Sequence, residues 1–95
     1  MMATVHAVLS SQEDYDRGSW ETILDRVFND RDKAFAYLSE IYAELLADFT
    51  LDEGMTAEQA RECLDLDDTT GSLRIYGVQY HDLMRTLEIV TRTVI

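Results

Sequence analysis

The chain of 95 residues is long enough for one domain with a modest core, so residues 1–95 are treated as a single acidic domain. Its hydrophobic fraction of 46% is globular, and no apolar run approaches the roughly 20 residues of a membrane span. Nineteen Asp and Glu face eight Lys and Arg, giving a formal net charge of −11. This charge argues against direct binding to nucleic acid or anionic membranes and favours a basic protein partner.

The negative charge is unevenly distributed along the chain. Residues 13–68 hold 17 acidic side chains against five basic ones, whereas residues 69–95 hold two against three. The single cysteine, Cys63, precludes an intrachain disulfide and is expected to be a small buried hydrophobic residue. The absence of a basic start and a long apolar stretch at the N-terminus argues against a signal peptide, and we expect a cytoplasmic protein.

The N-terminal third is predicted to form a β-hairpin. Residues 4–9 alternate between inward and outward positions and predict a strand, and the polar residues 10–19, which include Gly18, predict a loop. Residues 20–28 are ambiguous, because their apolar spacing fits a helix while their β-branched content fits a strand. We favour a strand that pairs with the first, with Trp20 in the core.

The clearest predicted element is a long helix over residues 30–49. Asn29 is a suitable N-cap, and Asp32 three residues later approximates a capping box. Apolar residues at helical spacing form its predicted core face, namely Phe35, Leu38, Ile41, Tyr42, Leu45 and Phe49. Residues 50–55 are a predicted break, in which Gly54 is the turn residue.

A short second helix is predicted to begin at Thr56, since Thr56 and Gln59 have the spacing of a capping box. Its expected inward face comprises Ala57, Ala60, Cys63 and Leu64. An acidic loop is predicted over residues 65–71.

The remaining chain is rich in β-forming residues. It predicts a strand over residues 72–80, a turn over residues 80–82 and a last strand over residues 83–94. The fold class is therefore α+β: a small antiparallel sheet, in the order β-β-α-α-β-β, packed on one face by one long and one short helix. Both faces of the C-terminal hairpin carry apolar residues, which suggests a possible homodimer contact.

The acidic residues of the two helices are the main candidate binding site. Those of the long helix recur at every fourth position, so they lie in a row opposite its apolar face. The full set of partner-binding candidates is Glu40, Glu44, Asp48, Asp52, Glu58, Glu62, Asp65, Asp67 and Asp68. Such a surface either keeps the protein soluble or docks on a basic groove, where carboxylates stand in for phosphates.

The sequence predicts no metal, cofactor or catalytic residue. In the calcium-loop pattern that begins at Asp65, the glycine, Gly71, comes one place late, and a pattern that begins at Asp14 has Gly18 one place early. The two histidines and Cys63 lack the spacing of zinc ligands. We therefore expect a protein without enzymatic activity.

Two functional hypotheses follow. The first is an acidic inhibitor or nucleic-acid mimic that binds a basic, nucleic-acid-binding protein. By class analogy alone, small acidic proteins of phages and mobile elements act in this way, including anti-CRISPR and anti-restriction proteins. The second is a structural or regulatory module that dimerises or binds a partner through its apolar C-terminal hairpin.

Overall fold

A computed structural model of the protein describes residues 3–14, 18–77 and 82–94, with side chains described for most of them. In chain order the elements are β1 (Ala3–Asp14), β2 (Ser19–Phe28), α1 (Arg31–Leu51), α2 (Ala57–Glu62), β3 (Leu64–Asp67), β4 (Ser72–Tyr76) and β5 (Leu83–Val94). The strands form one antiparallel sheet in the order β2-β1-β5-β4-β3. The predicted α+β class is confirmed, and β3 adds a strand to the predicted order.

Strand β1 continues well past the predicted end at residue 9. The loop predicted over residues 10–19 is wrong at both ends, because residues 10–14 belong to β1 and Ser19 begins β2. Polar side chains remain in the strand since β1 is hydrogen-bonded on both sides, to β2 and to β5. Ser10 is buried, and its hydroxyl accepts a hydrogen bond from Arg85 Nε at 3.0 Å.

Strand β2 confirms the strand interpretation of residues 20–28, and a β-bulge explains their helix-like spacing. Val8 pairs with Arg26 and Leu9 pairs with Leu24, so Asp25 is an extra residue in β2. The bulge reverses the alternation of inward and outward side chains. The prediction that Trp20 lies in the core is wrong, since its side chain is 47% exposed.

Helix α1 begins one residue later and ends two residues later than predicted. Its N-cap is Asp30 and not Asn29, because the Asp30 carboxylate accepts the Asp32 N–H at 2.8 Å. At the other end the helix continues to Leu51, and the Thr50 hydroxyl donates to the Leu46 carbonyl within it. The break then follows, with Gly54 at a φ of 69°.

Helix α2 has the predicted capping box between Thr56 and Gln59. Ala60 and Cys63 are buried as expected, but Ala57 is exposed because it lies on the outer side of the first turn. The predicted loop over residues 65–71 is wrong in its first part, which belongs to β3. In a strand of four residues, two leucines alternate with two aspartates, and this is too short a pattern to predict a strand.

The C-terminal hairpin has the predicted last strand, with bounds identical to β5. Strand β4 ends at Tyr76, earlier than predicted, and Gly77 follows without regular structure. The rest of the predicted strand, residues 78–80, lies outside the described residues, as does most of the predicted turn over residues 80–82.

The helices lie on one face of the sheet, and the hydrophobic core lies between these two layers. Buried core residues come from α1 and four strands: Val8, Ala34, Leu38, Leu64, Leu73, Ile75 and Leu87. The predicted core positions of α1 pack against this cluster. The molecule measures 20 Å along its shortest axis, about the thickness of one helix and one sheet. Neither α1 nor α2 is long and apolar enough to cross a membrane.

Candidate protein-interaction surfaces

The helical layer carries six of the nine predicted binding residues, and all six are exposed. We call this set the acidic ridge: Glu40, Glu44, Asp48, Asp52, Glu58 and Glu62. The members on α1 and its C-cap rise by about 6 Å per step and turn by about 40° around the helix axis. The row therefore begins opposite the sheet and turns towards the sheet at the C-terminal end of α1.

Among the described residues, no basic side chain forms an ion pair with a carboxylate of the acidic ridge. None of the six side chains forms a hydrogen bond or an ion pair with another described residue. The last turn of α1 contains no basic residue, so Asp48 and Asp52 lie at the negative end of the helix dipole. That placement costs about 0.3–1 kcal/mol for each charge, and repulsion between charges four residues apart adds to it. The ridge therefore lowers the stability of the fold that carries it.

The acidic residues of α2 are less costly. Glu58 lies in the first turn, where a carboxylate interacts favourably with the helix dipole, and Arg61 lies in the last turn near Glu62. Both glutamates are exposed on the same helical layer as α1. They extend the acidic ridge without the electrostatic cost that accumulates at the end of α1.

The structure places the other three predicted binding residues away from the ridge. Asp65 lies on the face of β3 that points away from the helices, beside its cross-strand partner Arg74. The Asp67 carboxylate accepts the Thr69 N–H at 2.9 Å and thereby stabilises the turn after β3.

Asp68 is also engaged within the fold. Its carboxylate lies 3.6 Å from the guanidinium of Arg31, and its backbone carbonyl accepts a hydrogen bond from the same side chain at 2.7 Å. This contact joins the first residue of α1 to the turn between β3 and β4. Asp67 and Asp68 thus have structural partners, unlike the carboxylates of the acidic ridge.

A second surface, which sequence reasoning missed, lies on the face of the sheet that points away from the helices. Ala7 of β1 pairs with Val27 of β2 and with Val90 of β5, so these three form one cross-strand row. Leu9 and Leu24 form the next row, and Trp20 follows further along β2. We call these six residues the outer apolar patch: Ala7, Leu9, Trp20, Leu24, Val27 and Val90.

The bulge at Asp25 produces much of this patch. With regular alternation Leu24 and Val27 would point to opposite faces of the sheet, but the extra residue puts both on the outer face. Leu24 is 60% exposed and Val27 is 52% exposed. The bulge reverses which side chains of β2 face the helices, and a strand without a bulge would not predict this. In the sequence, the bulge is visible only as apolar residues at helix-like spacing.

The outer face of the C-terminal hairpin is mainly polar. Arg74 of β4 pairs with Thr86 of β5, and Glu88 lies next to them on the same face. Two apolar residues of this segment are Val90, which belongs to the outer apolar patch, and Val78, which lies outside the described residues. Among the described residues, the outer apolar patch lies mainly on β1 and β2, and the hairpin has a further exposed apolar side chain in Met84, at 39%.

On the helix side of the sheet, the bulge directs two charged side chains towards Tyr37 of α1. The Tyr37 hydroxyl donates to the Asp25 carboxylate at 2.7 Å, and the Arg26 guanidinium lies 4.8 Å from the centre of the Tyr37 ring. The hydrogen bond to Asp25, followed by burial, raises the pKa of Tyr37 above its ordinary value. This cluster fastens the edge strand β2 to the helix and has a structural role.

The described residues offer little for metal binding or nucleophilic chemistry. Over residues 3–14, 18–77 and 82–94, no three His, Cys, Asp or Glu side chains form a group that could hold a metal ion. The Cys63 thiol is buried, and this burial raises its pKa, which disfavours the reactive thiolate. The second candidate calcium loop and His81 lie partly or wholly outside the described residues.

The chain was compared with known proteins by sequence and by fold, and no family model, curated protein or solved structure matched it. The functional argument accordingly depends on the two surfaces, the acidic ridge and the outer apolar patch.

Proposed function

We propose that the protein is a non-enzymatic inhibitor that docks its acidic ridge on a basic, nucleic-acid-binding protein in the cytoplasm. The ridge would occupy the groove that normally holds phosphates, with its carboxylates taking the place of the phosphate oxygens. Anti-CRISPR and anti-restriction proteins act on partners of this chemical type, and the analogy is one of class and not of fold.

The observation that carries the proposal is that, within the described part of the chain, the ridge carboxylates have no hydrogen-bond or ion-pair partner. Carboxylates that only keep a protein soluble can be interspersed with lysine and arginine, which limits self-repulsion. Here the negative charge accumulates at the end of α1, where the helix dipole opposes it, and no described basic residue forms an ion pair there. A basic partner would relieve this repulsion on binding. The relief would add to the favourable free energy of binding and so increase the affinity.

Charge reversal tests the proposal. The triple variant Glu40→Lys, Glu44→Lys and Asp48→Lys should lose the partner that the wild-type protein captures from host extract, without unfolding. A triple reversal at Asp32, Asp65 and Asp82 is a matched control, because these residues are exposed, lie off the ridge, form no ion pair with another described residue and change the net charge equally.

Competition with nucleic acid identifies the groove. A short DNA or RNA duplex added to the captured complex should release the partner, because both ligands occupy the same basic surface. Equal binding by both triple variants would refute the ridge as the docking surface. A captured partner that binds nucleic acid and the wild-type protein simultaneously would refute mimicry.

A further inference from the structure

The outer apolar patch lies on a sheet face that no helix or strand among the described residues covers. Helices α1 and α2 both lie on the other face, where the buried core is. Three aromatic or branched side chains of the edge strand β2 remain about half exposed: Trp20 at 47%, Leu24 at 60% and Val27 at 52%. Leu24 and Val27 adjoin Leu9, Ala7 and Val90 through the cross-strand pairs and form one surface across three strands. Trp20 lies on the same face of β2, beyond the polar pair of Ser11 and Thr22. An exposed apolar surface with a polar border is a candidate interaction site.

The accessible surface of the molecule can be compared with that of a typical folded monomer of the same mass. The chain of 10.9 kDa exposes 6523 Å². A folded monomer of that mass exposes about 5,600 Å², so the excess is about 900 Å². One partner in a protein–protein interface of standard size buries about 800 Å². The elongated shape, 51 × 31 × 20 Å, accounts for part of the excess, which is comparable in size to one half of a stable interface.

The charges on the outer face favour a second copy of this chain as the binding partner. Among the residues of β5 that share the outer face, Glu88 and Arg92 balance each other, whereas the helical layer carries the acidic ridge. Two copies with a formal charge of −11 each repel one another through their helical layers. Contact through a surface of low net charge reduces this repulsion, and a patch centred on β1 can pack against its own copy around a two-fold axis.

We propose that a second copy of this chain packs on the outer apolar patch, sheet on sheet, to form a homodimer. Packed sheets lie about 10 Å apart, so the dimer has four layers with the helices outermost. The two acidic ridges then lie on opposite outer surfaces, separated by much more than the Debye length of about 8 Å at physiological salt. This inference is independent of the proposed function, because it concerns the opposite face of the molecule.

The test is the mass in solution, measured by light scattering and sedimentation equilibrium across a range of protein concentrations. The wild-type protein should have twice the chain mass of 10.9 kDa. The substitution Leu24→Glu puts a charge in each half of the interface and should raise the dimer Kd roughly 100-fold. The matched control is Ile23→Glu, because Ile23 is the adjacent residue, is 62% exposed and points to the helix side of the same strand. This control should remain dimeric.

Several outcomes would overturn the inference. They are a wild-type protein that stays monomeric at its highest soluble concentration, and an equal effect of the two substitutions on the dimer. Pairing between the β2 edges of two copies would be a further contradiction, and it would protect the outward amides of β2 from hydrogen exchange. If Leu24→Glu does not fold, Val27→Glu on the same patch provides the measurement, since both side chains are already more than half exposed.

Discussion

The hydrogen bond between Tyr37 and Asp25 allows the bulge of β2 to be tested by measuring the pKa of Tyr37. In the variant Asp25→Ala the Tyr37 hydroxyl loses its acceptor, which lies 2.7 Å away, and its pKa should fall back towards the ordinary value of about 10. Neutral phenol is the form that donates to the carboxylate, so the interaction stabilises the fold only while Tyr37 is protonated. That stability is fully present below pH 10 and is lost as the pH rises through the folded-state pKa.

The magnitude follows from the type of contact and its exposure. A hydrogen bond to a charged group contributes about 1.5–3 kcal/mol when buried, and partial exposure of both groups reduces this to about 1 kcal/mol. Asp25→Ala should therefore lower the free energy of unfolding by about 1 kcal/mol at neutral pH. Ultraviolet titration of the phenolate, as the difference between each protein and its Tyr37→Phe counterpart, isolates Tyr37 from the other tyrosines.

Deletion of Asp25 tests whether this residue is an extra, unpaired residue of a bulge or a regular member of the strand. Because Val8 pairs with Arg26 and Leu9 with Leu24, removal of the extra residue leaves a regular ladder. The deletion should cost about 1–2 kcal/mol, because it removes the acceptor of the Tyr37 hydroxyl and the bulge that places Arg26 against the Tyr37 ring. A deletion that unfolds the protein, or an unchanged Tyr37 titration in Asp25→Ala, would refute this account of β2.

Two further predictions concern the core and the ridge. Leu38→Ala empties a fully buried position between α1 and the sheet and should cost about 3 kcal/mol in urea unfolding; a loss below 1 kcal/mol would contradict the described packing. Asp48→Asn should instead raise stability by about 0.5 kcal/mol at low salt, because it removes a charge from the negative end of α1. The gain should shrink as salt screens the ridge, and a destabilised Asp48→Asn would show that the carboxylate has a structural partner.

The elements with strong local signals could be predicted from the sequence. The capping box at Thr56, the long apolar repeat around Leu38 and the β-rich segment of β5 each depend on neighbouring residues, and the structure confirms all three. The helix start was wrong by one residue because Asn29 and Asp30 are equally suitable caps by composition. Local chemistry alone does not decide between two adjacent caps.

The elements that depend on long-range pairing could not be predicted. Ser10 and the polar residues after it are held in β1 by hydrogen bonds to two other strands, one of them more than 70 residues away in sequence. Strand β3 exists because Leu64 and Leu66 pair with β4 and cover the end of the core. In both cases tertiary contacts override weak local preference.

The candidate site could be predicted in part. The acidic residues of the helices are exposed as a helical repeat requires, but Asp65, Asp67 and Asp68 were assigned to a loop and belong to a strand and a tight turn. The outer apolar patch could not be predicted, because the bulge at Asp25 changes which residues share a face. A one-residue change of register inverts every later side chain of a strand.

The most direct test of the acidic ridge is the salt dependence of binding to the captured partner. The Kd of the wild-type protein should rise steeply with NaCl concentration. The triple reversal of Glu40, Glu44 and Asp48 should bind far more weakly at every concentration, because the proposed contact is between charges. A Kd that changes little with salt and survives the reversal would contradict the proposal and assign the interaction to another surface.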